Sequence, residues 1–352
     1  MLRRLGPLPR ATVPVSVAAS LAVSLALGLA ACSSDANGPD GASGAAPDGT
    51  PSSVPSPRLH DLEGTAPQTV EGRDGYLFIG TDFDLSCGSG EHFDDYLTAL
   101  GDLATVVAAS GREVVWTVAP DKSTTLVDRL PETVPQDACF RENQRWQEHL
   151  LGAVDEPHYV DTLALLRAAD ADGEQVYWRG DSHWTSYGAS LWLLAALDRL
   201  APEVADRVEV TEGTVERTGD LYVMAGRDDV ESAPSTTFST GNTMETIPGR
   251  TPFDPATESF GPLQWRTVPG DGMLPGRTLV IGDSFSYAGL DLTLPLVERG
   301  AFAWFQYLDT KVLAQQVAAA DTVVVEVAQR TLTHSSVATQ EFVDQVEAAL
   351  AD

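Results

Sequence analysis

Three short runs of apolar residues constrain the fold of this chain more than any other feature. They are "EVVWTVAP" (113–120), "RTLVIGDS" (277–284) and "DTVVVEVA" (321–328). Because apolar residues follow one another without alternation, both faces of each predicted strand need covering, which is typical of parallel sheets between helices. Segments with helical periodicity flank these runs: 93–109, 142–154, 187–200, 311–320 and 339–350. We therefore predict a three-layer α/β fold with a mostly parallel central sheet.

Two regions depart from this alternation. The segment "VEGRDGYLFIG" (70–80) places a turn at Asp74 and Gly75 before an apolar run, which predicts a hairpin where the ordered domain begins. From 201 to 276, glycine, proline, threonine and aspartate interrupt short apolar pieces. We predict that this region is an insertion of loops and short strands, either a lid or a plain structural excursion, within a domain that spans 69–352.

The first 68 residues predict export and a tether. Basic residues in "MLRR" precede an apolar run that ends in "LAAC" at Cys32, which resembles the lipobox of bacterial lipoproteins. We predict a signal peptide over 1–31 and lipidation of Cys32, with ordinary cleavage and an uncleaved anchor as alternatives. Residues 32–68 are rich in Ser, Gly, Pro, Ala and Asp, which predicts a disordered tether. The expected location is therefore extracytoplasmic, at a membrane through the lipid anchor.

Charge and cysteine content narrow the choice of partners. The chain has 22 Lys and Arg residues against 51 Asp and Glu residues, a formal net charge of −29. A field of this sign repels nucleic acid, so we expect no nucleic-acid partner. With Cys32 lipidated, Cys87 and Cys139 are expected to form a disulfide, and two free buried thiols are the alternative. No metal-ligand spacing recurs among the scattered histidines, so we expect no metal and no cofactor.

The segment "TLVIGDSFS" points to a nucleophile at Ser284. An apolar strand ends there, a glycine permits a tight turn, and the serine lies where the next helix begins. Side chains at this position are exposed at the carboxyl edge of a sheet, beside backbone N–H groups that can stabilise an oxyanion. The alternative interpretation is a strand-to-helix turn capped by a serine.

A serine hydroxyl needs a base, and His183 in "GDSHWTSYGA" is the best candidate. Asp181 precedes it by two residues, close enough to bond one ring nitrogen while the other nitrogen faces a nucleophile. Alternatively, Asp181 and Ser182 cap the helix that begins near Thr185, and His183 is a surface residue.

Together, the two segments resemble the SGNH hydrolases. A D-x-H-W-T-x-x-G-A block ahead of a G-D-S-F-S block is similar to the alginate O-acetyltransferase (AlgX/AlgJ-like) branch, whose SGNH domain has a permuted motif order. Further matches are "GRDGYLFIG", "VAPDKSTTLVDRLP" and "VVVEVAQRTL", and the resemblance runs from about Val70 to Leu350.

This resemblance implies a fold and a role for each motif residue. It implies an SGNH hydrolase-like fold, Ser284 as nucleophile through an acetyl-Ser284 intermediate, His183 as general base and Asp181 as its orienter. The Ser284 N–H would contribute to the oxyanion hole. Residues expected to support the site are Arg330, Glu326, Tyr287, Trp184 and Thr185. Of these, Arg330 and Glu326 either buttress the site or pair with each other, Tyr287 either contacts the site or simply packs, and Trp184 and Thr185 fix the loop.

The implied activity is transfer of an acetyl group to hydroxyls of an extracellular or cell-wall polysaccharide. The acetyl donor would be supplied by a membrane acyltransferase. The chain stops at Asp352 without the carbohydrate-binding module of AlgX, so we expect acceptor capture within this domain or by a partner. Two alternatives are an acetylesterase acting on a glycan or lipid, and a catalytically silent lipoprotein that binds polysaccharide or scaffolds a complex.

Overall fold

The computed structural model describes residues 69–83, 92–132, 138–246, 253–254, 259–260, 262–268 and 270–351. The expected signal peptide (1–31) and tether (32–68) lie outside the described residues. The strands are β1 Thr69–Glu71, β2 Leu77–Ile79, β3 Glu113–Ala119, β4 Glu209–Arg217, β5 Glu231–Ser239, β6 Met244–Thr246, β7 Phe253–Asp254, β8 Ser259–Phe260, β9 Leu263–Thr267, β10 Leu274–Gly282, β11 Val297–Trp304 and β12 Thr322–Ala328. The helices are α1 Phe93–Ala109, α2 Lys122–Thr125, α3 Ala138–Ala153, α4 Thr162–Ala171, α5 Ser186–Leu200, α6 Pro202–Ala205, α7 Asp220–Met224, α8 Ser284–Ala288, α9 Leu290–Thr293, α10 Thr310–Ala318, α11 Gln329–Leu332 and α12 Gln340–Ala351.

A six-stranded sheet forms the centre, in the order β3-β12-β10-β11-β9-β6. The pairs β3-β12, β12-β10 and β10-β11 are parallel, whereas β9 and β6 are antiparallel to their neighbours. The sheet is therefore mixed and mostly parallel, which confirms the predicted fold class. Since the four parallel strands point the same way, the segments that follow β3, β10, β11 and β12 meet at one edge of the sheet.

Apolar side chains of successive residues enter cores on opposite faces of the sheet. In β12, Val323 and Val325 join the core beneath α1, α10 and α12, while Val324 joins the core beneath α4 and α5. Burial on both faces explains why these strands read as unbroken apolar runs in the sequence. The described helices therefore form two layers around the sheet.

The predicted hairpin at 70–80 is present as β1 and β2, which pair antiparallel. Its turn has left-handed backbone at both central residues, with φ of 56° at Asp74 and 77° at Gly75. Aspartate and glycine tolerate this conformation better than other residues, which is why the short turn could be predicted from the sequence.

The region 201–276 contributes to the sheet itself. Within it, β4 and β5 form an antiparallel hairpin, and β9 and β6 extend the central sheet. In β9 burial alternates, with Leu263, Trp265 and Thr267 buried and the two residues between them exposed. This alternation is typical of an edge region of a sheet with one covered face. It spans only five residues.

Two further observations concern the predicted disulfide and membrane-spanning helices. Cys139, at the start of α3, is disulfide-bonded, and both other cysteines of the chain lie outside the described residues. The pairing of Cys139 with Cys87 therefore stays a prediction. Within the described ranges, no helix has both the length and the apolar character needed to cross a membrane.

Candidate active site

Ser284 is the first residue of α8, directly after the central strand β10 and the N-cap residue Asp283. The Asp283 carboxylate is buried, and both of its oxygens accept hydrogen bonds. Oδ1 accepts from the Phe285 N–H at 2.9 Å, and Oδ2 accepts from the Ala328 N–H at 2.9 Å and the Thr331 hydroxyl at 3.1 Å. One aspartate thus caps the helix that begins at Ser284 and also ties it to the end of β12. The serine is held at the carboxyl edge of the sheet, as the sequence predicted.

Glu326 in β12 is a second buried carboxyl group beneath Ser284. Its Oε2 accepts from the Ser286 N–H at 3.0 Å and, more weakly, from the Asp283 N–H at 3.4 Å. Burial, with the nearby charge of Asp283, raises the pKa of Glu326 well above its ordinary value. Burial thus favours the neutral, protonated form of this carboxyl group, which lowers the cost of burying it.

The first turn of α8 leaves one backbone donor for a reaction intermediate. Phe285 donates to Asp283 Oδ1, Ser286 donates to Glu326, and Tyr287 donates to the Asp283 carbonyl at 3.0 Å. Within the part of the chain that the structure describes, the Ser284 N–H has no such acceptor. A backbone N–H without an acceptor at the start of a helix is one requirement of an oxyanion-hole donor.

His183 is oriented by Asp181. Its Nδ1 lies 2.8 Å from Asp181 Oδ1, and its backbone N–H donates to the same oxygen at 2.9 Å. With Nδ1–H donating to the carboxylate, the neutral ring carries its lone pair at Nε2. The Nε2 atom is buried and has no hydrogen-bond partner among the described residues. The imidazole is thus set to accept a proton at Nε2.

The second oxygen of Asp181 is held by Arg217, the last residue of β4. Arg217 Nη2 lies 2.7 Å from Asp181 Oδ2, which also accepts from the Asp220 N–H at 3.2 Å. Burial alone would raise the pKa of Asp181, but its hydrogen bond to His183 and the charges of His183 and Arg217 hold the pKa below its ordinary value. Asp181 therefore remains ionised and can stabilise a protonated imidazole.

Two further carboxylates from the region 201–276 hold the loop that carries His183. Asp220 accepts from the Ser182 N–H at 2.7 Å and the Ser182 hydroxyl at 2.6 Å, and its Oδ2 lies 3.7 Å from His183 Nδ1. Glu231 accepts from the backbone N–H groups of Arg179 at 2.9 Å and Gly180 at 3.0 Å. The segment predicted as an insertion thus builds much of the base's surroundings.

Direct contacts join the two Gly-Asp-Ser segments. The Trp184 indole N–H donates to the Phe285 carbonyl at 3.1 Å, and the rings of His183 and Phe285 are 5.0 Å apart. Ser284 and His183 line one cavity of about 480 Å³, a size that suits a small substrate. The structure therefore brings Asp181, His183 and Ser284 into one site.

Three of the expected supporting residues lie around this site. Trp184 is buried, and Thr185 caps α5 by accepting from the Gly188 N–H at 3.0 Å, so both fix the loop. Tyr287 lines the cavity with its ring 5.5 Å from that of Trp304. It therefore packs and faces the cavity at the same time.

Arg330 does not pair with Glu326, although such a pair was one of the two arrangements expected from their spacing. It contacts Asp121 at 3.2 Å and Asp82 at 3.8 Å, and its guanidinium lies 4.8 Å from the centre of the Phe285 ring. Side chains four apart do share a face of a helix, but Glu326 lies within β12 and Arg330 in α11. Arg330 thus packs against Phe285, the residue after Ser284, and supports its position.

Asp181, His183 and Asp220 are also residue types that bind metals. One ligand atom from each lies within 4.8 Å of the others. The contact between Asp181 and His183 is a hydrogen bond, however, and Arg217 already places a positive charge 2.7 Å from Asp181. A guanidinium at this distance repels a second cation, so the arrangement favours an oriented base over a metal site.

Comparison with known sequences gives matches in one family. Residues 69–291 match the family described as SGNH hydrolase-like domain, acetyltransferase AlgX. A protein of Pseudomonas fluorescens named probable alginate O-acetylase AlgJ is 28% identical over 172 residues, which is 46% of this chain and 42% of that protein. The chain therefore spans less than half the length of this relative.

Solved structures share the fold at low sequence identity. The structure of Bacillus cereus PatB1 has a TM-score of 0.52 and 12% identity, and the match covers 75% of this chain and 96% of that chain. A DHHW family protein from Eubacterium siraeum has a TM-score of 0.50 and 18% identity, covering 81% and 99% respectively. These likenesses concern the fold alone.

Proposed function

This chain belongs to the AlgX family of SGNH hydrolase-like acetyltransferases, and on that premise we propose that it moves an acetyl group through Ser284 to a hydroxyl of a polysaccharide. The observation that carries the proposal is that His183, whose buried Nε2 has no hydrogen-bond partner among the described residues, lines the same cavity as Ser284. Acyl transfer requires a base that is oriented by a carboxylate and shares a site with a serine, and His183, Asp181 and Ser284 line one cavity.

The first half of the reaction acetylates the enzyme. The Ser284 hydroxyl attacks the carbonyl carbon of an acetyl ester, and His183 Nε2 takes the hydroxyl proton. The Ser284 N–H stabilises the negative charge that develops on the carbonyl oxygen. When the bond between the carbonyl carbon and the leaving oxygen breaks, His183 returns the proton to that oxygen, which leaves acetyl-Ser284 and a free alcohol.

The second half transfers the acetyl group to the acceptor. A sugar hydroxyl gives its proton to His183 Nε2 while its oxygen attacks the carbonyl carbon of acetyl-Ser284. The bond to the serine oxygen breaks, and His183 returns the proton to Ser284. Asp181 remains ionised throughout and stabilises the imidazolium formed in each half.

The relatives support a polysaccharide as the acceptor. The protein of Pseudomonas fluorescens matched over part of its length is named a probable alginate O-acetylase, and alginate is a polysaccharide. We propose an extracellular or cell-wall polysaccharide as the acceptor of this chain, with acetyl groups supplied by a membrane acyltransferase.

The proposed location is the outer surface of a membrane, through lipid on Cys32. The lipobox-like "LAAC" motif supports it, and the disulfide of Cys139 is in keeping with an oxidising compartment. Labelling cells with a radioactive fatty acid should mark the wild-type protein and leave Cys32→Ser unlabelled. An equally labelled Cys32→Ser protein would contradict lipidation at this residue.

The test of the activity compares Ser284→Ala with Ser232→Ala, which removes an exposed hydroxyl from β5. Each protein is incubated with 4-nitrophenyl acetate and a series of oligosaccharides, and mass spectrometry follows acetyl groups on the sugar. We expect acetylated sugar from the wild type and from Ser232→Ala, and a loss of about 10³-fold or more in Ser284→Ala. Undiminished acetylation by Ser284→Ala would refute the proposal, and release of free acetate whatever sugar is offered would favour the esterase alternative.

A further inference from the structure

Aromatic side chains form one wall of the cavity that contains Ser284. Trp304, the last residue of β11, lies in register with Gly282 of β10, two positions before the nucleophile. Tyr287 from α8 packs against it with ring centres 5.5 Å apart. Parallel pairing of β10 and β11 therefore places a tryptophan at the same edge of the sheet as the serine.

This aromatic wall continues outward to the protein surface. Trp304 is half-buried, and its ring centre is 5.5 Å from that of Tyr307, which is 45% exposed. Trp265, by contrast, is buried, and its indole N–H donates to the Leu294 carbonyl at 3.2 Å. Trp304 thus offers apolar surface inside the cavity, with the exposed ring of Tyr307 beside it, whereas Trp265 is held in place as part of the wall.

The charges around the cavity are mainly negative. Of the described residues that line it, three are carboxylates, Asp181, Asp220 and Asp291, while the one arginine is Arg217. Arg217 is already 2.7 Å from Asp181. A carboxylate on a substrate would therefore meet negative potential and would have to compete with Asp181 for the guanidinium.

We infer that the acceptor is an uncharged sugar whose ring lies against Trp304, and that uronic-acid polymers are disfavoured. The inference rests on the proposed acetyl transfer and adds the chemical class of its acceptor. One face of a pyranose ring consists of C–H groups, which pack on an indole as other apolar groups do. A sugar held there presents its hydroxyls toward Ser284, where one of them gains the acetyl group and its proton returns to the serine.

A matched pair of acceptors tests the charge directly. Oligogalacturonate and the same oligomer after reduction of its carboxyl groups differ in charge and share their ring stereochemistry. With the full-length protein and 4-nitrophenyl acetate, kcat/KM for sugar acetylation should be at least about tenfold higher for the reduced oligomer. Asp291→Lys should narrow this preference at least about threefold, because Asp291 is an exposed lining residue.

Aromatic variants test where the sugar lies. Trp304→Ala should raise the KM for the reduced oligomer about tenfold, Trp304→Phe should raise it less, and Tyr307→Ala should raise it about threefold. Trp146→Ala is the control, because Trp146 on α3 is 45% exposed and does not line the cavity. Formation of acetyl-Ser284 by Trp304→Ala shows that its site is assembled, and Tyr307→Ala covers the case in which that variant does not fold.

The outcomes separate this inference from the proposed function. Equal or better acetylation of oligogalacturonate, or unchanged KM in both Trp304→Phe and Tyr307→Ala, would overturn the acceptor assignment. The acceptor assignment would also be overturned if acetyl-Ser284 formed but passed its acetyl group to neither oligomer. The proposed first half-reaction would then still hold. Failure to form acetyl-Ser284 at all would refute the proposed function itself.

Discussion

Ser284 and His183, the proposed nucleophile and base, are held by different kinds of structure. Ser284 follows the central strand β10, and its neighbours Asp283 and Glu326 are almost completely buried in the sheet edge. His183 lies in a loop, where residues of the region 201–276 hold it through Arg217 and the carboxylates of Asp220 and Glu231. The nucleophile half is thus part of the core, while the base half is assembled from a hairpin and a short helix that pack beside it.

This difference separates stability from activity. Changes beneath Ser284 remove buried hydrogen bonds and should lower the stability of the whole domain. Changes around His183 alter the orientation of one ring and should mainly lower the reaction rate. The following predictions test that division.

Asp181→Asn should produce the largest loss. The amide cannot keep the Nδ1–H···O bond and the contact with Arg217 as a charged acceptor, so the imidazolium loses its stabilising partner. We expect kcat to fall about 10³- to 10⁴-fold. Steady-state kinetics measure the fall, and circular dichroism should show the wild-type secondary structure. A loss below tenfold would mean that Asp181 does not orient the base.

The pH dependence of stability tests the role of Asp181 in a second way. The pKa of Asp181 is lowered in the folded state, so its contribution to stability is present above its ordinary value near 4 and is lost as pH falls through the folded pKa. Asp181→Asn should therefore be destabilised relative to the wild type at pH 7, with the difference shrinking in acid. Urea titrations at several pH values measure it, and a difference that grows in acid would contradict this sign.

Asp220→Asn should have an intermediate effect, through positioning. Its carboxylate accepts two hydrogen bonds from Ser182, so the variant should loosen the loop of His183. We expect kcat to fall about 10- to 100-fold, with the KM for the donor unchanged. Asp229→Asn is the matched control, since this exposed residue pairs with Arg227 and has the same charge. Equal losses in both variants would point to overall charge rather than position.

Glu326→Gln should change activity least, by less than about threefold, because a neutral amide oxygen can still accept from Ser286 and Asp283. The pKa of Glu326 is raised in the folded state, so its contribution to stability is full below its ordinary value near 4.3 and is lost as pH rises through the folded pKa. Relative to the wild type, Glu326→Gln should therefore become more stable as the pH rises above about 4.3.

A second variant at this position probes the hydrogen bonds. Glu326→Leu leaves the Ser286 and Asp283 N–H groups without their acceptor, so it should lose about 1–3 kcal/mol at pH 7. Urea unfolding measures both variants. Equal stability of Glu326→Leu and the wild type would contradict a structural role for this carboxyl beneath Ser284.

The local structure around Ser284 could be predicted from the sequence because its signals are local. An unbroken apolar strand, a glycine, a capping aspartate and the serine follow one another within a few residues, and the structure has them in that order. The parallel sheet could be predicted for the same reason, and the family resemblance drawn from the motif order is confirmed. The link between Asp181 and His183 is likewise a contact between residues two apart.

The surroundings of His183 could not be predicted, because they depend on contacts between distant segments. Arg217, Asp220 and Glu231 lie 36 to 52 positions from the residues they hold, in a region without regular periodicity. The partners of Arg330 were missed for the same reason, since Asp121 lies about 200 positions earlier. Arg217 and Glu231 lie at the ends of β4 and β5, and Asp220 begins α7, so nothing in their spacing marks them as partners of the loop that carries His183.

Trapping the acetyl-enzyme tests the central claim most directly. Wild-type protein is mixed with 4-nitrophenyl acetate, quenched in acid and digested, and mass spectrometry locates any acetyl group. We predict acetyl on Ser284 of the peptide that contains "GDSFSYAG", less of it when an acceptor sugar is present, and none in Ser284→Ala. Turnover of the ester without acetyl on Ser284, or with equal turnover by Ser284→Ala, would contradict the account.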